Sequence, residues 1–74
     1  MKHIYLIKDL ALETGYSTHT LKYYLKEGLF EEMGRSPSTN FRYFDEGAIM
    51  CLQKIRKMKN RGLSLSEIKE RLKN

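Results

Sequence analysis

The sequence predicts a mostly α-helical domain of about four short helices and a small β-hairpin, arranged as a winged helix-turn-helix. Three observations predict this fold class. Two short amphipathic segments, residues 7–14 and 18–26, flank a turn that contains a glycine. A loop-like segment, residues 31–40, precedes an aromatic, strand-like run, and two further helical patterns follow it. At 74 residues, we expect one domain, 1–74, with one small core.

The helix-turn-helix pattern begins after a short β-prone run, HIYLI. One face of a two-turn helix is predicted by the spacing of Ile7, Leu10, Ala11 and Thr14. Gly15 follows in the position preferred for a left-handed C-cap. Ser17 can offer its side-chain oxygen to the first free amides of a second helix. That helix is predicted to run to about Lys26 and to end at Gly28.

A β-hairpin, the wing, is predicted after the second helix. Residues 31–40, EEMGRSPSTN, contain the only proline together with Gly, Ser, Thr and Asn, which is a composition typical of loops. The next run, FRYF at 41–44, has the aromatic character of a short strand. Pairing it with residues 29–33 on the other side of the loop gives the simplest hairpin.

Two further helices are predicted from their first residues. Asp45 can cap a helix at residues 46–60, which Gly62 then breaks. Its apolar stripe consists of Ala48, Cys51, Leu52, Ile55 and Met58. Ser64 begins a fourth helix with Glu67 three residues later, which is a capping box. The apolar side of that helix consists of Leu65, Ile68 and Leu72.

The charge distribution favours a polyanionic partner. Fourteen Lys and Arg against nine Asp and Glu give a net charge of +5. The whole surplus lies in residues 46–74, which carry eight basic and three acidic residues. Five of these basic residues fall within KIRKMKNR at 54–61. Ribosomal and membrane-surface proteins share such a balance, and an isolated basic run is usually a solvated helix face.

Composition also argues against other classes of function. The single cysteine, Cys51, excludes an internal disulfide and gives no metal-ligand spacing. Two histidines 16 positions apart, with one cysteine, cannot supply a nucleophile–base–acid set, so we expect neither an enzyme nor a cofactor. No segment resembles a signal peptide or approaches the roughly 18 apolar residues of a membrane span. We therefore expect a cytoplasmic protein that does not enter the membrane.

The second helix has one polar face. At 100° per residue, an arc of about 140° holds Thr18, His19, Lys22, Tyr23 and Lys26. The opposite side holds Thr20, Leu21 and Tyr24, with Leu25 at the margin. Hydrogen-bonding groups of several lengths beside two cations are what a helix needs to read base edges and hold phosphates. An ordinary amphipathic surface helix looks the same, so this pattern by itself leaves both interpretations open.

The chain as a whole resembles the DNA-binding domain of the MerR family of bacterial transcription regulators. The resemblance spans residues 4–73, and its most specific parts are TLKYY at 20–24, FRYF at 41–44 and GLSLSEIKERL at 62–72. It implies that the second helix enters the major groove, where Thr18 and His19 would face bases or nearby phosphates. The DNA backbone would be contacted by Lys22, the hydroxyls of Tyr23 and Tyr24, the wing residues Arg42 and Tyr43, which could also reach the minor groove, and Lys59 of the third helix.

Three departures from the family pattern stand out. Leu25 occupies a position that is commonly acidic, and Lys22 stands where arginine is usual, which loses a bidentate fork. The sequence ends at Asn74, so the family's dimerisation helix and effector domain are absent from it. We expect a monomer as given and a dimer for a full-length member.

The resemblance implies double-stranded promoter or operator DNA as the partner, with RNA polymerase involved indirectly in a full-length regulator. Two alternatives remain at this point. One is a free-standing architectural protein such as a phage excisionase, and the other is a protein-interaction module that uses the basic helix.

Overall fold

The computed structural model describes residues 4–73, and in that range it confirms the predicted fold class. Four helices accompany one two-stranded antiparallel hairpin. In chain order the elements are α1 (Ile7–Thr14), α2 (Thr18–Lys26), β1 (Gly34–Arg35), β2 (Arg42–Tyr43), α3 (Glu46–Asn60) and α4 (Leu65–Lys73).

Local capping sets the limits of the first two helices where the sequence predicts them. The Leu6 N–H donates to Asp9 Oδ2 at 2.9 Å at the start of α1. Gly15 has φ 80°, in the left-handed region that favours glycine, and its N–H donates to the Ala11 carbonyl oxygen. The Ser17 hydroxyl then accepts from the Thr20 N–H at 3.1 Å. The turn between the helices is therefore specified by side chains within a few residues of it.

One core holds the short helices together. Its fully or almost fully buried residues are Leu10, Leu21, Tyr24, Leu29, Phe30, Phe44, Ala48, Leu52, Ile55 and Ile68. The longest helix, α3, contacts both α1 and α4, while α1 also contacts α2. Helices of eight or nine residues are marginal alone, so packing into this shared core rather than intrinsic propensity stabilises them. Each large side chain that is fully buried contributes about 1.5–3 kcal/mol.

The first strand of the hairpin does not lie where the sequence predicts it. Residues 29–33 were expected to pair with FRYF, but the ladder joins Gly34 to Tyr43 and Arg35 to Arg42. The prediction was wrong for Leu29 and Phe30, which are buried in the core with 3% and 5% of their surface exposed. Only the end of the predicted segment reaches FRYF, since the Met33 N–H donates to the Tyr43 carbonyl oxygen at 2.8 Å. The Leu29 N–H donates to the Tyr24 carbonyl oxygen, which continues the end of α2 rather than a strand.

The base of the wing is tied to the start of α1. Tyr5 and Phe44 form an antiparallel bridge in which each N–H donates to the other's carbonyl oxygen, at 2.9 and 2.8 Å. The β-prone run HIYLI thus contributes a single bridge, and its His3 lies outside the described residues. At the tip, Asn40 has φ 61°, a left-handed conformation that Asn tolerates better than most residues, and its N–H donates to Ser36.

The predicted limits and apolar stripe of α3 and the predicted start of α4 are confirmed. Asp45 Oδ1 accepts from the Gly47 N–H at 3.0 Å. Ser64 and Glu67 form the reciprocal capping box. The Ser64 N–H donates to Glu67 Oε1 at 2.9 Å, and the Glu67 N–H donates to Ser64 Oγ at 3.2 Å. Along α3 the stripe is buried at Ala48, Leu52 and Ile55 and partly buried at Cys51 and Met58.

Candidate nucleic-acid interface

The second helix presents the polar face that its periodicity predicts. The exposed residues on this face are Thr18, His19, Lys22, Tyr23 and Lys26. The opposite face is anchored by Leu21, which is fully buried, and Tyr24, which is 4% exposed. Because two large side chains fix the rotation of the helix, its polar face is held outward without help from a ligand.

The adjacent tyrosines have different environments. Tyr23 is 45% exposed, whereas the ring of Tyr24 belongs to the core, as the sequence predicts. Tyr24 packs edge-on against Tyr16, with ring centroids 5.5 Å apart and planes at 75°. Burial, with a contribution from neighbouring Tyr24, raises the pKa of the Tyr16 hydroxyl, and the Arg56 guanidinium opposes that rise. The phosphate contact predicted for the Tyr24 hydroxyl stays a prediction.

Two arginines in the wing share one carboxylate. Arg35 Nε donates to Glu32 Oε2 at 2.9 Å, and Arg42 Nε lies 2.7 Å from Glu32 Oε1 in an ion pair without an aligned hydrogen bond. The hydrogen bond from Arg35, ahead of the effect of Arg42, holds the pKa of Glu32 below its ordinary value. The predicted contact residue Arg42 therefore belongs to an ionic cluster in the free protein. Neither Arg35 nor Glu32 was predicted as a contact from the sequence, although both lie within the segment EEMGRSPSTN.

Tyr43 lies across the first strand of the wing. A Cβ atom on its cross-strand partner Gly34 would come within 2.6 Å of the Tyr43 hydroxyl oxygen, so glycine leaves room for the ring. Because Arg42 and Tyr43 are successive residues of one strand, their side chains point to opposite faces. Tyr43 lines a mainly apolar depression with Ile4 and Met33. The two predicted wing contacts are thus not brought together on one surface.

Arg42 instead shares a groove with the second helix. The groove has a volume of about 420 Å³, and its lining residues are Leu6, Ile7, Lys8, Lys22, Arg35, Asn40, Phe41 and Arg42. The structure thus unites two of the predicted phosphate contacts, Lys22 and Arg42. Lys8 and Arg35, also in the groove, were not predicted as contacts. No sequence spacing indicates them, since they lie on α1 and β1 and reach the groove only through folding.

The basic run at 54–61 divides into two groups. Arg56 stacks over Tyr16 and donates to the Thr14 carbonyl oxygen, so it acts within the fold. The other basic residues of the run are exposed, as Arg56 also is. Lys59 lies in the last turn of α3, as predicted. A second basic groove between α3 and α4 is lined by Lys54, Lys57, Met58, Arg61, Arg71 and Leu72.

The remaining chemistry of the described residues is limited. Cys51 is partly buried, its Sγ donates to the Leu29 carbonyl oxygen at 3.3 Å, and burial raises the pKa of its thiol. Within residues 4–73, no three His, Cys, Asp or Glu side chains are grouped so as to hold a metal ion. No helix in the described part of the chain has the length and apolar character needed to cross a bilayer.

Two short helices joined by a tight turn, followed by a β-hairpin wing, place the chain in the class of winged helix-turn-helix domains. The second helix has an exposed polar face, as DNA-binding members of this class do. Within that class, residues 5–74 match the family "MerR HTH family regulatory protein". The chain belongs to this family and corresponds to its helix-turn-helix DNA-binding domain, as the resemblance in its sequence predicts.

Two relatives show how far the similarity extends. The HTH-type transcriptional regulator CueR of Bacillus subtilis (strain 168) is 43% identical over 70 residues, which is 95% of this chain and 48% of the relative. An uncharacterized HTH-type transcriptional regulator of Haemophilus influenzae is 37% identical over 65 residues, 88% of this chain and 47% of that protein. The chain spans about half the length of these relatives.

Two crystal structures have the same fold. A MerR-family transcriptional regulator from Bacillus cereus superposes with a TM-score of 0.89 at 25% identity, over 97% of this chain and 53% of that one. HiNmlR, a MerR-family regulator lacking the sensor domain and bound to promoter DNA, gives a TM-score of 0.85 at 32% identity, over 96% of this chain and 53% of that one.

Proposed function

We propose that this domain binds double-stranded DNA sequence-specifically, with α2 in the major groove, as part of a bacterial transcription regulator in the cytoplasm. The observation that carries this proposal is the rotation of α2. Leu21 and Tyr24 are buried, so Thr18, His19, Lys22 and Tyr23 face outward together. The promoter-bound state of the similar HiNmlR structure supports DNA as the ligand.

Base reading is assigned to the first turn of α2. In helix-turn-helix proteins the residues near the start of the recognition helix contact base edges. Thr18 and His19 are the first two residues of α2, and both are exposed. Their hydroxyl and imidazole can each donate or accept a hydrogen bond, which suits the donor and acceptor patterns of the major groove.

Phosphate contact is assigned to residues around that turn. Lys22 follows His19 by three residues and so lies beside it on the helix surface. Tyr23 can donate its exposed hydroxyl, and the hydroxyl of Tyr24 is assigned the same role although its ring is in the core. Arg42 and Tyr43 of the wing and Lys59 of α3 are the other proposed contacts, to phosphates or, for the wing, to the minor groove. These contacts set the orientation of α2 rather than its sequence preference.

The wider assembly is also part of the proposal. The DNA would be a promoter or operator, and RNA polymerase would be involved indirectly through a longer regulator that is a dimer. We propose no enzymatic activity and no cofactor for this domain. The 74-residue chain itself is expected to be a monomer at micromolar concentration, because most of its large apolar side chains pack into one core. Sedimentation equilibrium should give a mass near 8.8 kDa, and a mass near twice that value would contradict this expectation.

Selection from a pool of randomised duplexes tests DNA recognition directly. The protein should enrich a defined sequence and then bind it at least about 10³-fold more tightly than a scrambled duplex of equal length at physiological salt. The matched control is a Thr18→Ala/His19→Ala double variant, which should keep binding to random DNA and lose the preference. Enrichment of no sequence by a folded protein would reject sequence-specific recognition.

A further inference from the structure

The groove beside α2 collects cations from four separate elements. Lys8 comes from α1, Lys22 from α2, Arg35 from β1 and Arg42 from β2. No acidic side chain is among the described residues that line it. Glu32, outside this lining, pairs with two of the four cations, and the excess of positive charge that remains favours an anionic ligand. We name this surface, with the lining residues given above, the four-cation groove.

The positive charge is weaker on the other side of Lys22 and Arg42. These two residues also border a second groove, which Lys26 lines as well, but there the carboxylates of Glu31 and Glu32 offset much of the positive charge. A polyanion that contacts Lys22 and Arg42 can therefore pass on either side of them. The two carboxylates weaken the attraction on their side, and the four-cation groove, which no acidic side chain of the described residues lines, attracts the polyanion more strongly.

Apolar side chains also line the four-cation groove. They are Leu6, Ile7 and Phe41, the last of which is 60% exposed. A DNA backbone carries anionic phosphates joined by deoxyriboses, whose carbon faces are apolar. A lining of cations and apolar side chains suits this alternation better than it suits a free inorganic anion, which would make no use of the apolar side chains.

The wing arginines keep donors available for phosphate. Arg35 and Arg42 lie directly opposite each other in the hairpin, an arrangement of like charges that is destabilising by itself. Glu32 offsets this repulsion by contacting the Nε atom of both. Each guanidinium carries four further N–H groups on its terminal nitrogens. Glu32 therefore positions the pair, and the terminal nitrogens remain as phosphate donors.

We propose that the four-cation groove holds one strand of the DNA backbone between the recognition helix and the wing, with Lys8 and Arg35 as additional phosphate contacts. This inference rests on the proposed function and deepens it, because it fixes the side on which the strand passes. It also places a residue of α1, outside the recognition helix and the wing, in direct contact with DNA.

Single substitutions with a charge-matched control test the inference. Lys8→Ala and Arg35→Ala each remove one exposed cation of the groove, and Lys54→Ala removes one exposed cation that lies on the far groove between α3 and α4. Each phosphate contact contributes about 0.9 to the slope of log K against log salt. Raising the salt concentration fourfold lowers the DNA affinity of every variant. For Lys8→Ala and for Arg35→Ala, the factor of this loss should be roughly 3.5-fold smaller than for the parent protein. Lys54→Ala should keep the parental slope.

Phosphate ethylation interference locates the contacts on the selected duplex. Lys22→Ala and Arg42→Ala should each lose interference at the phosphate that the missing side chain contacts. Lys8→Ala and Arg35→Ala should lose interference at neighbouring phosphates of the same strand. Arg35→Lys should restore part of the salt slope, and thermal melts should show every variant folded. Parental slopes and interference patterns in both alanine variants would overturn the inference while leaving DNA binding intact. A parent protein that binds neither selected nor random duplex would overturn the proposed function itself.

Discussion

The guanidinium of Arg56 lies over the ring of Tyr16, with 4.5 Å between its carbon and the ring centroid. The same guanidinium donates through Nη2 to the carbonyl oxygen of Thr14, the last residue of α1. A Cβ atom on Gly15 would stand 3.6 Å from that Nη2. One side chain of α3 thus fastens the turn between α1 and α2, and with it the placement of α2.

Arg56→Ala should destabilise the domain by about 1–2 kcal/mol, since it removes a cation–π contact and a charge-assisted hydrogen bond near the surface. In a domain of this size that corresponds to a fall in Tm of roughly 4–16 °C. Thermal melts followed by circular dichroism measure it. The adjacent, exposed Lys57→Ala is the matched control and should stay within about 0.5 kcal/mol of the parent. Equal effects of the two changes would show that Arg56 is only part of a solvated face.

Truncation of the paired tyrosines should separate folding from binding. Tyr24→Ala removes a buried ring and its edge contact with Tyr16, so it should cost about 3–5 kcal/mol of stability. Tyr23→Ala removes a ring that is 45% exposed and should cost less than about 1 kcal/mol while weakening DNA binding. Melts and DNA titrations of both variants decide the matter. The reverse order of stabilities would mean that α2 is rotated.

The phenylalanine variants isolate the two hydroxyls. Tyr23→Phe and Tyr24→Phe keep the ring packing, so Tm should change little in either. If each hydroxyl holds a phosphate, each change should cost about 0.5–1.5 kcal/mol of DNA affinity. Fluorescence titration against the selected duplex measures this. Because Tyr24 is only 4% exposed, unchanged affinity of Tyr24→Phe would assign that residue to the core alone.

Positioning and reading contacts should respond differently to substitution. Lys22→Ala, Arg42→Ala and Lys59→Ala should weaken binding to selected and random duplexes alike and lower the salt slope by about one unit each. His19→Ala should instead reduce the difference in binding free energy between the selected and the random duplex by about 1–3 kcal/mol. Titrations at several salt concentrations measure both quantities. An unchanged slope and affinity for Lys22→Ala would contradict the proposed docking of α2.

The capping box of α4 should make stability depend on acid pH. The hydrogen bond from the Ser64 backbone N–H is the main cause that holds the pKa of Glu67 below its ordinary 4.5. A lowered folded pKa stabilises the protein above the ordinary value, and this contribution is lost as pH falls through the folded pKa. Glu67→Gln keeps an oxygen that can accept from Ser64, so it removes chiefly the charge. Its Tm should lie below that of the parent at pH 7 and approach it as pH falls below 4.5. A Tm difference independent of pH would exclude the ionised carboxylate as the cause.

The sequence predicts the helices well because their signals are local. The hydrogen bonds of Ser17, Asp45 and Ser64 join groups two or three residues apart, so the cap and the helix it begins are visible in the same few letters. The outward face of α2 follows from periodicity alone. Seven of the eight predicted contacts are at least partly exposed, and Tyr24 is the buried exception. Whether they bind DNA is for the variants to decide.

What the sequence by itself determined was therefore the set of helices, their caps and the face that α2 turns outward. Only the tertiary structure decided where the wing begins. The sequence is compatible with Leu29 and Phe30 in a strand or in the core, and in the folded protein they are buried in the core while the ladder begins at Gly34. The tertiary structure also decided that Arg56, which is exposed like its basic neighbours, joins α3 to Tyr16. The four-cation groove has the same origin. Its members are far apart in the chain, and their proximity depends on how the helices and the wing pack, which no local pattern records.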